Sequence, residues 1–286
     1  MQLTDEQLAL MPSEDDVKFY REHGFYISRK IYSDEQIEMA LRGADRYYAG
    51  ERDQLVKAQD RFVIGWMPEQ GDVLRKNDYS SFQNRELFQF VRNPLVGAIA
   101  AKLSGSPTIR LWHDQLLWKP VDRPDKKANV GWHTDRGYWR TCTSANRITA
   151  WVPFHDCDDA MGTITMIDGS HKWPDNTEKL DFFSSDLEGL EKNFDTGGNP
   201  IKKVPANLKK GCVSFHHCLT IHGSGPNRSD KPRRSIAIHM QDETNRYQEY
   251  RRGDGSLAMH WNDRLARKVD GKPDYTDPVV FPALWE

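Results

Sequence analysis

Three side chains that lie far apart in the chain could bind one metal ion. The sequence reads Gly-Trp-His-Thr-Asp over residues 131–135, and His222 follows 89 positions after His133. Residues i and i+2 of an extended strand point to the same face, so we expect the His133 imidazole and the Asp135 carboxylate to meet. With His222 from a second strand, they would form the two-histidine, one-carboxylate set that non-heme Fe(II) oxygenases use. The sequence therefore predicts an iron site in which these three residues are both metal ligands and catalytic groups.

A pair of arginines follows the second histidine at the start of an apolar stretch. Arg233 and Arg234 are neighbours, so only one of them can point inward from a strand, and we predict that it is Arg233. A guanidinium makes two parallel hydrogen bonds to a carboxylate, which a lysine cannot reproduce. An inward arginine beside an iron site would suit the distal end of a dicarboxylate co-substrate.

Other residues admit competing interpretations. A zinc site on the cysteines and histidines of residues 212–222 is disfavoured because their spacing matches no common zinc ligand pair, and cysteines in strands are usually buried thiols. The dipeptide His155-Asp156 could belong to a hydrolase, but the partners that such a site needs are missing. His113 and Gln115 share one face of a predicted strand, and they could line a pocket or lie at the edge of a sheet.

The elements that must position these residues change character along the chain. Ser13 and Ser33 precede helical patterns that end near Gly24 and Tyr48, and residues 85–103 give a third pattern, broken near Pro94. After these helices, short β-rich segments alternate with turns, which predicts a mainly β sandwich or barrel with flanking helices. Residues 172–203 are polar and irregular, and a loop of that length is usually functional or mobile. The predicted strands are 108–119, 130–135, 147–154, 161–167, 211–217 and 234–240.

Composition excludes several classes of partner. The 286 residues carry a formal net charge of −2, so no basic surface argues for nucleic acid or an anionic membrane. No apolar run approaches the roughly 20 residues that span a bilayer, and the acidic start of the chain is unlike a signal peptide. The four cysteines lack the spacing of a disulfide framework. We therefore expect a cytoplasmic protein folded as a single domain.

Four stretches carry a resemblance to a known family. The chain resembles the phytanoyl-CoA dioxygenase family of Fe(II)/2-oxoglutarate-dependent oxygenases from about residue 14 to residue 242. The resemblance implies a double-stranded β-helix, or jelly-roll, core at about 106–245, preceded by a helical layer at about 13–105 and followed by a C-terminal extension at 246–286. The similar stretches are DDVKFYREHGFYISRKIYSDEQIEMALRGAD, WHTDRGYW, ITAWVPFHDCDDAMGTITMIDGSHKW and HHCLTIHGSGPNRSDKPRRSIAIHM.

The same resemblance implies the cofactors and the residues that contact them. Fe(II) would bind His133, Asp135 and His222, and 2-oxoglutarate and O2 would be the co-substrates. Arg233, with Ser224, would hold the C5 carboxylate of 2-oxoglutarate. Trp151 would lie beside it, and Thr149 is a further candidate on the same strand face.

The resemblance supports the cofactor and the reaction more strongly than the substrate. We expect oxidation, most simply hydroxylation, of a C–H bond in a small molecule such as a lipid or a secondary metabolite, with conversion of 2-oxoglutarate to succinate and CO2. The turn Asp168-Gly169-Ser170-His171 departs from the Pro-Gly-Ser-His of the family, and the 172–203 loop has no counterpart in it. The alternative is a cupin-like jelly-roll protein, an isomerase or a binding module, that binds metal without oxygenase turnover.

Overall fold

The β-rich segments after residue 108 pair into antiparallel sheets. The computed structural model describes residues 1–53, 64–124 and 128–286, so residues 54–63 and 125–127 of the predicted domain lie outside the described residues. The helices in the described part are α1 Asp5–Leu8, α2 Glu14–His23, α3 Asp34–Tyr48, α4 Arg85–Val91, α5 Pro94–Ser104, α6 Asp135–Tyr138, α7 Leu187–Glu191 and α8 Trp261–Leu265. The strands there are β1 Phe25–Ile27, β2 Ile64–Gly65, β3 Arg75–Asp78, β4 Ile109–Lys119, β5 Val130–His133, β6 Ile148–Pro153, β7 Thr165–Ile167, β8 Lys203–Pro205, β9 Ser214–His217, β10 His222–Ser224, β11 Arg233–Asp242, β12 Lys268–Val269, β13 Lys272–Pro273 and β14 Ala283–Trp285.

Two sheets form the jelly-roll core. The larger sheet has the order β1-β9-β6-β11-β4-β3-β2, with β14 added along β4, and the smaller has the order β5-β10-β7-β8. All of their pairings are antiparallel. A narrow cavity between the two sheets is lined by residues of both. The predicted mainly β fold with flanking helices is confirmed.

Strict alternation along the central strands separates a helix-facing side from a site-facing side. On β11, Ile236 and Ile238 belong to the main apolar core together with residues of α3, α4 and α5. Arg233, Ala237 and His239 point the other way and line the narrow cavity. The two-residue period of a strand thus lets one segment serve the core and the site at once.

The helix boundaries follow from local chemistry. Ser13 accepts a hydrogen bond from the Asp16 backbone N–H, and the Asp16 side chain accepts one from Ser13, which together cap the start of α2. Gly24 ends that helix with a left-handed φ of +80°, a conformation that glycine adopts without strain. The pattern predicted over 85–103 is two helices, because Pro94 starts α5 in the first-turn position where a missing N–H costs nothing.

Three expectations about strands and loops need correction. The segment 161–167 is strand only from Thr165, because a 3-10 turn over Asp159–Met161 and a left-handed Gly162 precede it. The strand predicted over 130–135 ends at His133. Residues 172–203 include the helix α7 and lead into β8, so this segment has some regular structure. Among the described residues, no helix combines the length and apolar character needed to cross a membrane.

Candidate active site

The three predicted metal ligands converge where β5 ends and β10 begins in the smaller sheet. His133 ends β5 and His222 begins β10, and the two residues are directly paired in the antiparallel register. Thr134 remains extended, with φ −114° and ψ 141°. The Asp135 side chain therefore points to the same side as that of His133, although Asp135 is the first residue of α6. All three side chains are buried, and one ligand atom from each lies within 4.8 Å of the others. This geometry could hold one metal ion.

Backbone carbonyls fix which nitrogen of each histidine faces the others. His133 Nδ1 lies 2.8 Å from the Gly131 carbonyl oxygen, and His222 Nδ1 lies 3.0 Å from the carbonyl oxygen of Thr220. A carbonyl only accepts, so each Nδ1 carries the proton and each Nε2 keeps its lone pair. Burial lowers the pKa of His133, and burial together with the neighbouring His133 lowers the pKa of His222 well below its usual range. Neutral imidazoles with free Nε2 atoms are what a metal requires.

The second oxygen of Asp135 is held away from the two ligand histidines. Thr149 Oγ1 donates to Asp135 Oδ2 at 2.5 Å and lies 2.8 Å from His239 Nδ1, which therefore donates to the hydroxyl. His216 Nε2 lies 3.3 Å from the same carboxylate oxygen. Burial acts to raise the pKa of Asp135, but the imidazoles of His239, His216 and His222 lower it well below its usual range. Asp135 is therefore a carboxylate, with Oδ1 nearer His222, at 3.9 Å from its Nε2.

The competing zinc interpretation finds no support in this arrangement. Within the described ranges, His133, Asp135 and His222 are the one group of three or more histidine, cysteine or acidic side chains whose ligand atoms come this close. Cys218 donates to the Ala145 carbonyl oxygen, and Cys212 is partly buried against an apolar cluster. Cys218 is therefore a buried thiol and Cys212 a partly buried one.

The predicted co-substrate residues line the narrow cavity that begins at the metal ligands. This cavity has a volume of about 50 Å³, and Arg233, Ser224, Trp151 and Thr149 all border it. Arg233 is 2% exposed, and its guanidinium carbon lies 5.2 Å from the centre of the Trp151 ring. Arg233 points into the cavity as predicted, whereas Arg234 points to the helix-facing side of the sheet and pairs with Asp45 of α3.

The Arg233 guanidinium retains unused hydrogen-bonding capacity. Its Nη1 donates to the Gly162 carbonyl oxygen, while its buried Nε has no hydrogen-bond partner among the described residues. Burial lowers the pKa of Arg233 to about 10, so the group is still charged at neutral pH. An unsatisfied buried donor on a charged group is costly, and a bound carboxylate would satisfy it.

Lys119 is a part of this site that sequence reasoning missed. It is fully buried on β4, directly opposite Arg233 on β11. Its Nζ donates to Ser224 Oγ at 2.6 Å and to the backbone carbonyl oxygens of Ser224 and Gly225. Burial and then the charge of Arg233 lower the pKa of Lys119 well below its usual range. Since lysines usually lie at the surface, the sequence LLWK alone gave little reason to place this one inside.

The charges around the narrow cavity are unbalanced. In the part of the chain that the structure describes, the hydrogen bonds of Arg233 and Lys119 go to carbonyl and hydroxyl oxygens and not to carboxylates. Buried charges in proteins are normally paired or hydrogen-bonded to an opposite charge. The end of the cavity distant from the metal ligands therefore fits an anionic group, and the residues present fit 2-oxoglutarate.

His133 and Asp135 also line a second and larger cavity. It has a volume of about 580 Å³ and falls in the size range of small-molecule sites. His113 and Gln115 both line it, and β4 lies between β3 and β11, so the pocket interpretation of these residues is confirmed over the sheet-edge one. Sequence reasoning did not find the ion pair of Lys76 with Asp78 in the wall of this cavity.

The loop and the C-terminal segment close this larger cavity. The 172–203 loop contributes Thr177, Glu178, Phe182 and Phe183, and the segment after residue 245 contributes Tyr250, Arg252, Ala258, Met259, His260 and Trp261. The loop is also hydrogen-bonded to the ligand strand. The Gly131 backbone N–H donates to the Phe182 carbonyl oxygen at 2.9 Å, and that of Asp181 donates to Trp132. A Cβ at Gly131 would lie 1.9 Å from the Asp181 carbonyl oxygen, so only glycine permits this approach.

Comparison with known proteins is consistent with this site. The chain is 26% identical over 238 residues to the peroxisomal phytanoyl-CoA dioxygenase of Rattus norvegicus, covering 80% of this chain and 68% of the rat protein. It is 23% identical over 241 residues to the ectoine dioxygenase of Bordetella parapertussis, covering 78% of this chain and 73% of that enzyme.

Solved structures share the fold. The epimerase SnoN, determined in complex with Fe3+, alpha ketoglutarate and nogalamycin RO, aligns with a TM-score of 0.66 at 21% identity, covering 95% of this chain and 98% of SnoN. EctD from S. alaskensis, determined with 2-oxoglutarate and 5-hydroxyectoine, aligns with a TM-score of 0.64 at 17% identity, covering 87% of this chain and 81% of EctD. The family model for phytanoyl-CoA dioxygenase matches residues 20–235. The chain therefore belongs to the phytanoyl-CoA dioxygenase family of iron- and 2-oxoglutarate-dependent oxygenases.

Proposed function

We propose that this protein is a dioxygenase that oxidises, most simply by hydroxylation, a C–H bond of an organic small molecule. The observation that carries the proposal is that the buried group His133, Asp135 and His222 borders the narrow cavity, while His133 and Asp135 also line the wide one. One cavity is narrow and is bordered by the buried guanidinium of Arg233, and the other is wide and has six aromatic side chains in its wall. The first suits an anionic co-substrate, and the second suits a substrate.

In this proposal, His133 Nε2, His222 Nε2 and a carboxylate oxygen of Asp135 would hold Fe(II). Bound iron, 2-oxoglutarate and O2 supply the oxidation, in which 2-oxoglutarate is converted to succinate and CO2. The protein's part is to hold these groups in one orientation and to keep water away from them. The carbonyl oxygens of Gly131 and Thr220 perform the first task for the two histidines.

Arg233 and Ser224 would bind the distal carboxylate of 2-oxoglutarate, with Trp151 packed beside it. Because Lys119 Nζ donates to the Ser224 oxygen, the hydroxyl proton of Ser224 is left to point elsewhere, and a carboxylate in the narrow cavity could accept it. Thr149 borders the same cavity, but its hydroxyl proton goes to Asp135. We propose that Thr149 acts by orienting the metal ligand.

The alternative of a cupin-like metal-binding protein does not account for the narrow cavity. A metal site alone needs no buried guanidinium with an unsatisfied donor nearby. We also propose that the chain works as one oxygenase domain, because the C-terminal segment and the jelly-roll core line the same cavity.

The proposal is tested in two steps. Under anaerobic conditions, addition of 2-oxoglutarate to the Fe(II) protein should produce a visible charge-transfer absorption, which requires that both groups bind to one site. In air, succinate should then form at a rate that rises in the presence of an oxidisable small molecule. A protein that binds Fe(II) but shows neither the absorption nor succinate formation would be a metal-binding module, and the oxygenase proposal would be wrong.

A further inference from the structure

Exposed aromatic side chains are concentrated at the mouth of the 580 Å³ cavity. In the described part of the chain, four phenylalanine, tyrosine or tryptophan residues are exposed by more than about a third. Three of these, Tyr138, Phe183 and Trp261, line the cavity at 48%, 76% and 44% exposure, and Phe19 lies elsewhere. Met259, at 53% exposure, adds to the same rim. Apolar surface gathered around a concave site is typical of a binding site for an apolar ligand.

Aromatic side chains also line the interior of this cavity. Trp139 and Phe182 are buried in its wall, and Tyr250 is half-buried there. Aromatic rings prefer offset or edge-to-face contact with other rings, which stabilises such pairs beyond the area that they bury. A flexible alkyl chain gains only the free energy of burying its apolar surface. The aromatic lining therefore favours a planar ring system.

One buried polar group in the cavity wall has an unused hydrogen-bonding position. His113 is 2% exposed, and its Nε2 has no hydrogen-bond partner among the residues that the structure describes. Its Nδ1 faces the Asp114 carbonyl oxygen at 3.4 Å, which places the proton on Nδ1 and leaves Nε2 as an acceptor. Burial lowers the pKa of His113 to about 3, so the ring is neutral. A hydroxyl group on the ligand could donate to this nitrogen.

The cations of the cavity wall are already largely neutralised by the protein. Lys76 Nζ binds both carboxylate oxygens of Asp78, at 2.9 and 2.8 Å. Arg140 pairs with Asp175 at 3.2 Å. Coenzyme A carries a diphosphate and a further phosphate, and it would need several unpaired cations at the mouth of the cavity. Among the described residues that line the cavity, Arg252 alone is a lysine or arginine without a carboxylate partner, and its Nη1 donates to Ser256 Oγ and to the Leu257 carbonyl oxygen.

We infer that the substrate of this cavity is a planar aromatic ring system that carries a hydroxyl group and no phosphate. Its ring face would pack against Tyr138, Phe183 and Trp261, and its hydroxyl would donate to His113. This inference rests on the proposed oxygenase function, because it assigns the substrate of that same site. It separates this protein from its relatives that are named for a coenzyme A thioester.

Binding of four probes tests the inference. We would measure dissociation constants by calorimetry for 2-naphthol, naphthalene, 1-decanol and palmitoyl-CoA, using protein loaded with Fe(II) and 2-oxoglutarate under anaerobic conditions so that no turnover occurs. 2-Naphthol and 1-decanol have the same number of carbons and one hydroxyl, and they differ in planarity. We expect 2-naphthol to bind about tenfold more tightly than 1-decanol and several-fold more tightly than naphthalene.

Exposed rim residues allow variants that should not disturb folding. Phe183→Ala and Trp261→Ala should each weaken 2-naphthol binding about threefold to tenfold. Phe19→Ala removes an exposed ring of another surface, and it should leave the dissociation constant unchanged. His113→Phe should remove the preference for 2-naphthol over naphthalene.

Clear results would overturn the inference. Binding of 1-decanol or palmitoyl-CoA as tight as that of 2-naphthol would exclude a planar, phosphate-free substrate, and so would rim variants that bind 2-naphthol like the unaltered protein. The same calorimeter measures 2-oxoglutarate binding to the Fe(II) protein before any probe is added. Failure of that first titration would contradict the oxygenase proposal itself, and it is therefore distinguishable from failure of the probes.

Discussion

His133 and His222 are directly opposite each other on β5 and β10, although 89 positions separate them in the chain. Their ring centres are 4.1 Å apart. A slip of one residue in this register would turn one of the rings to the opposite face of the sheet. The pairing of the two strands therefore determines whether a metal can bind at all.

Loss of a ligand histidine should abolish both metal binding and turnover. We expect His133→Ala to remove measurable stoichiometric Fe(II) binding and to eliminate succinate formation, because two remaining ligands cannot reproduce the three-sided site. His155→Ala is the matched control, since His155 accepts a hydrogen bond from the Arg234 backbone N–H away from the cavity. Retention of full Fe(II) affinity by His133→Ala would show that the metal lies elsewhere.

We expect metal affinity to depend on the hydroxyl group of Thr149 rather than on the volume of its side chain. Thr149→Val keeps the volume of the side chain and removes the donor to Asp135 Oδ2. Loss of a partner that orients a ligand typically lowers metal affinity about 10- to 100-fold, and we expect that range here, measured by competition with a metal chelator. Thr149→Ser retains the hydroxyl and should stay close to the unaltered protein. Equal affinities for the valine and serine variants would contradict an orienting role.

Two neighbouring arginines offer a sharp comparison for co-substrate binding. Arg233→Gln should raise the dissociation constant of 2-oxoglutarate about 10- to 100-fold, the effect expected for lost hydrogen bonds to a charged group. Arg234→Gln changes a residue that faces Asp45 and packs on Trp118, so it should leave that constant unaltered. Calorimetry on the Fe(II) protein measures both values. Equal effects of the two changes would mean that the carboxylate binds at another position.

Lys119 should affect co-substrate affinity without any direct contact. Lys119→Met removes the donor that orients the Ser224 hydroxyl, at the strand position directly opposite Arg233. We expect the KM for 2-oxoglutarate to rise about tenfold while kcat changes little, because binding is weakened and the metal ligands are untouched. Ser224→Ala supplies the comparison, and combining the two changes should cost less than the sum of the single effects. Full additivity would show that Lys119 acts independently of Ser224.

Acid should destabilise the metal-free protein partly through His113. Its pKa is about 3 in the folded protein against an ordinary value of 6.5. The unfolded chain therefore binds a proton that the folded chain does not, and stability falls as the pH drops from 6.5 towards 3. Between pH 7 and pH 5 this group should account for about 2 kcal/mol of the lost free energy of unfolding.

The variant His113→Phe isolates that contribution. It keeps a ring among the side chains of Tyr79, Trp139 and His239 and has no proton to bind. Urea unfolding at pH 7 and pH 5 should show that the variant loses about 2 kcal/mol less than the unaltered protein over this interval. Parallel losses in the two proteins would exclude His113 as a source of the pH dependence.

Local patterns were sufficient to predict most of the fold. Serine caps and Gly24 marked the helix ends, β-rich composition identified β4 and β6, and period-two alternation identified β11. The strand predicted at 161–167 was too long because a left-handed Gly162 within an apolar segment leaves no trace in hydrophobic periodicity. Asp135 was predicted to lie in a strand. Thr134 is still extended, and the backbone becomes helical only at Asp135, where α6 begins.

Site residues could be predicted where their spacing along a strand sets their direction. They could not be predicted where their position depends on tertiary burial. His133 and Asp135 are two residues apart, and Arg233 is the first residue of an alternating strand, so their common direction could be deduced. The same alternation on β11 places His239 on the face of Arg233 and could have indicated it in advance. Lys119 could not be deduced in this way, because its place depends on tertiary contacts with Ser224 and Gly225.

The close approach of the 172–203 loop to Gly131 has a mechanical consequence. The loop segment at Phe182 is bonded to the strand that ends in His133, and the Phe182 ring lies 4.8 Å from the His133 ring. A molecule that displaced Phe182 from the wall of the wide cavity would therefore also disturb the strand that carries His133. A side chain at position 131 would separate the loop from that strand.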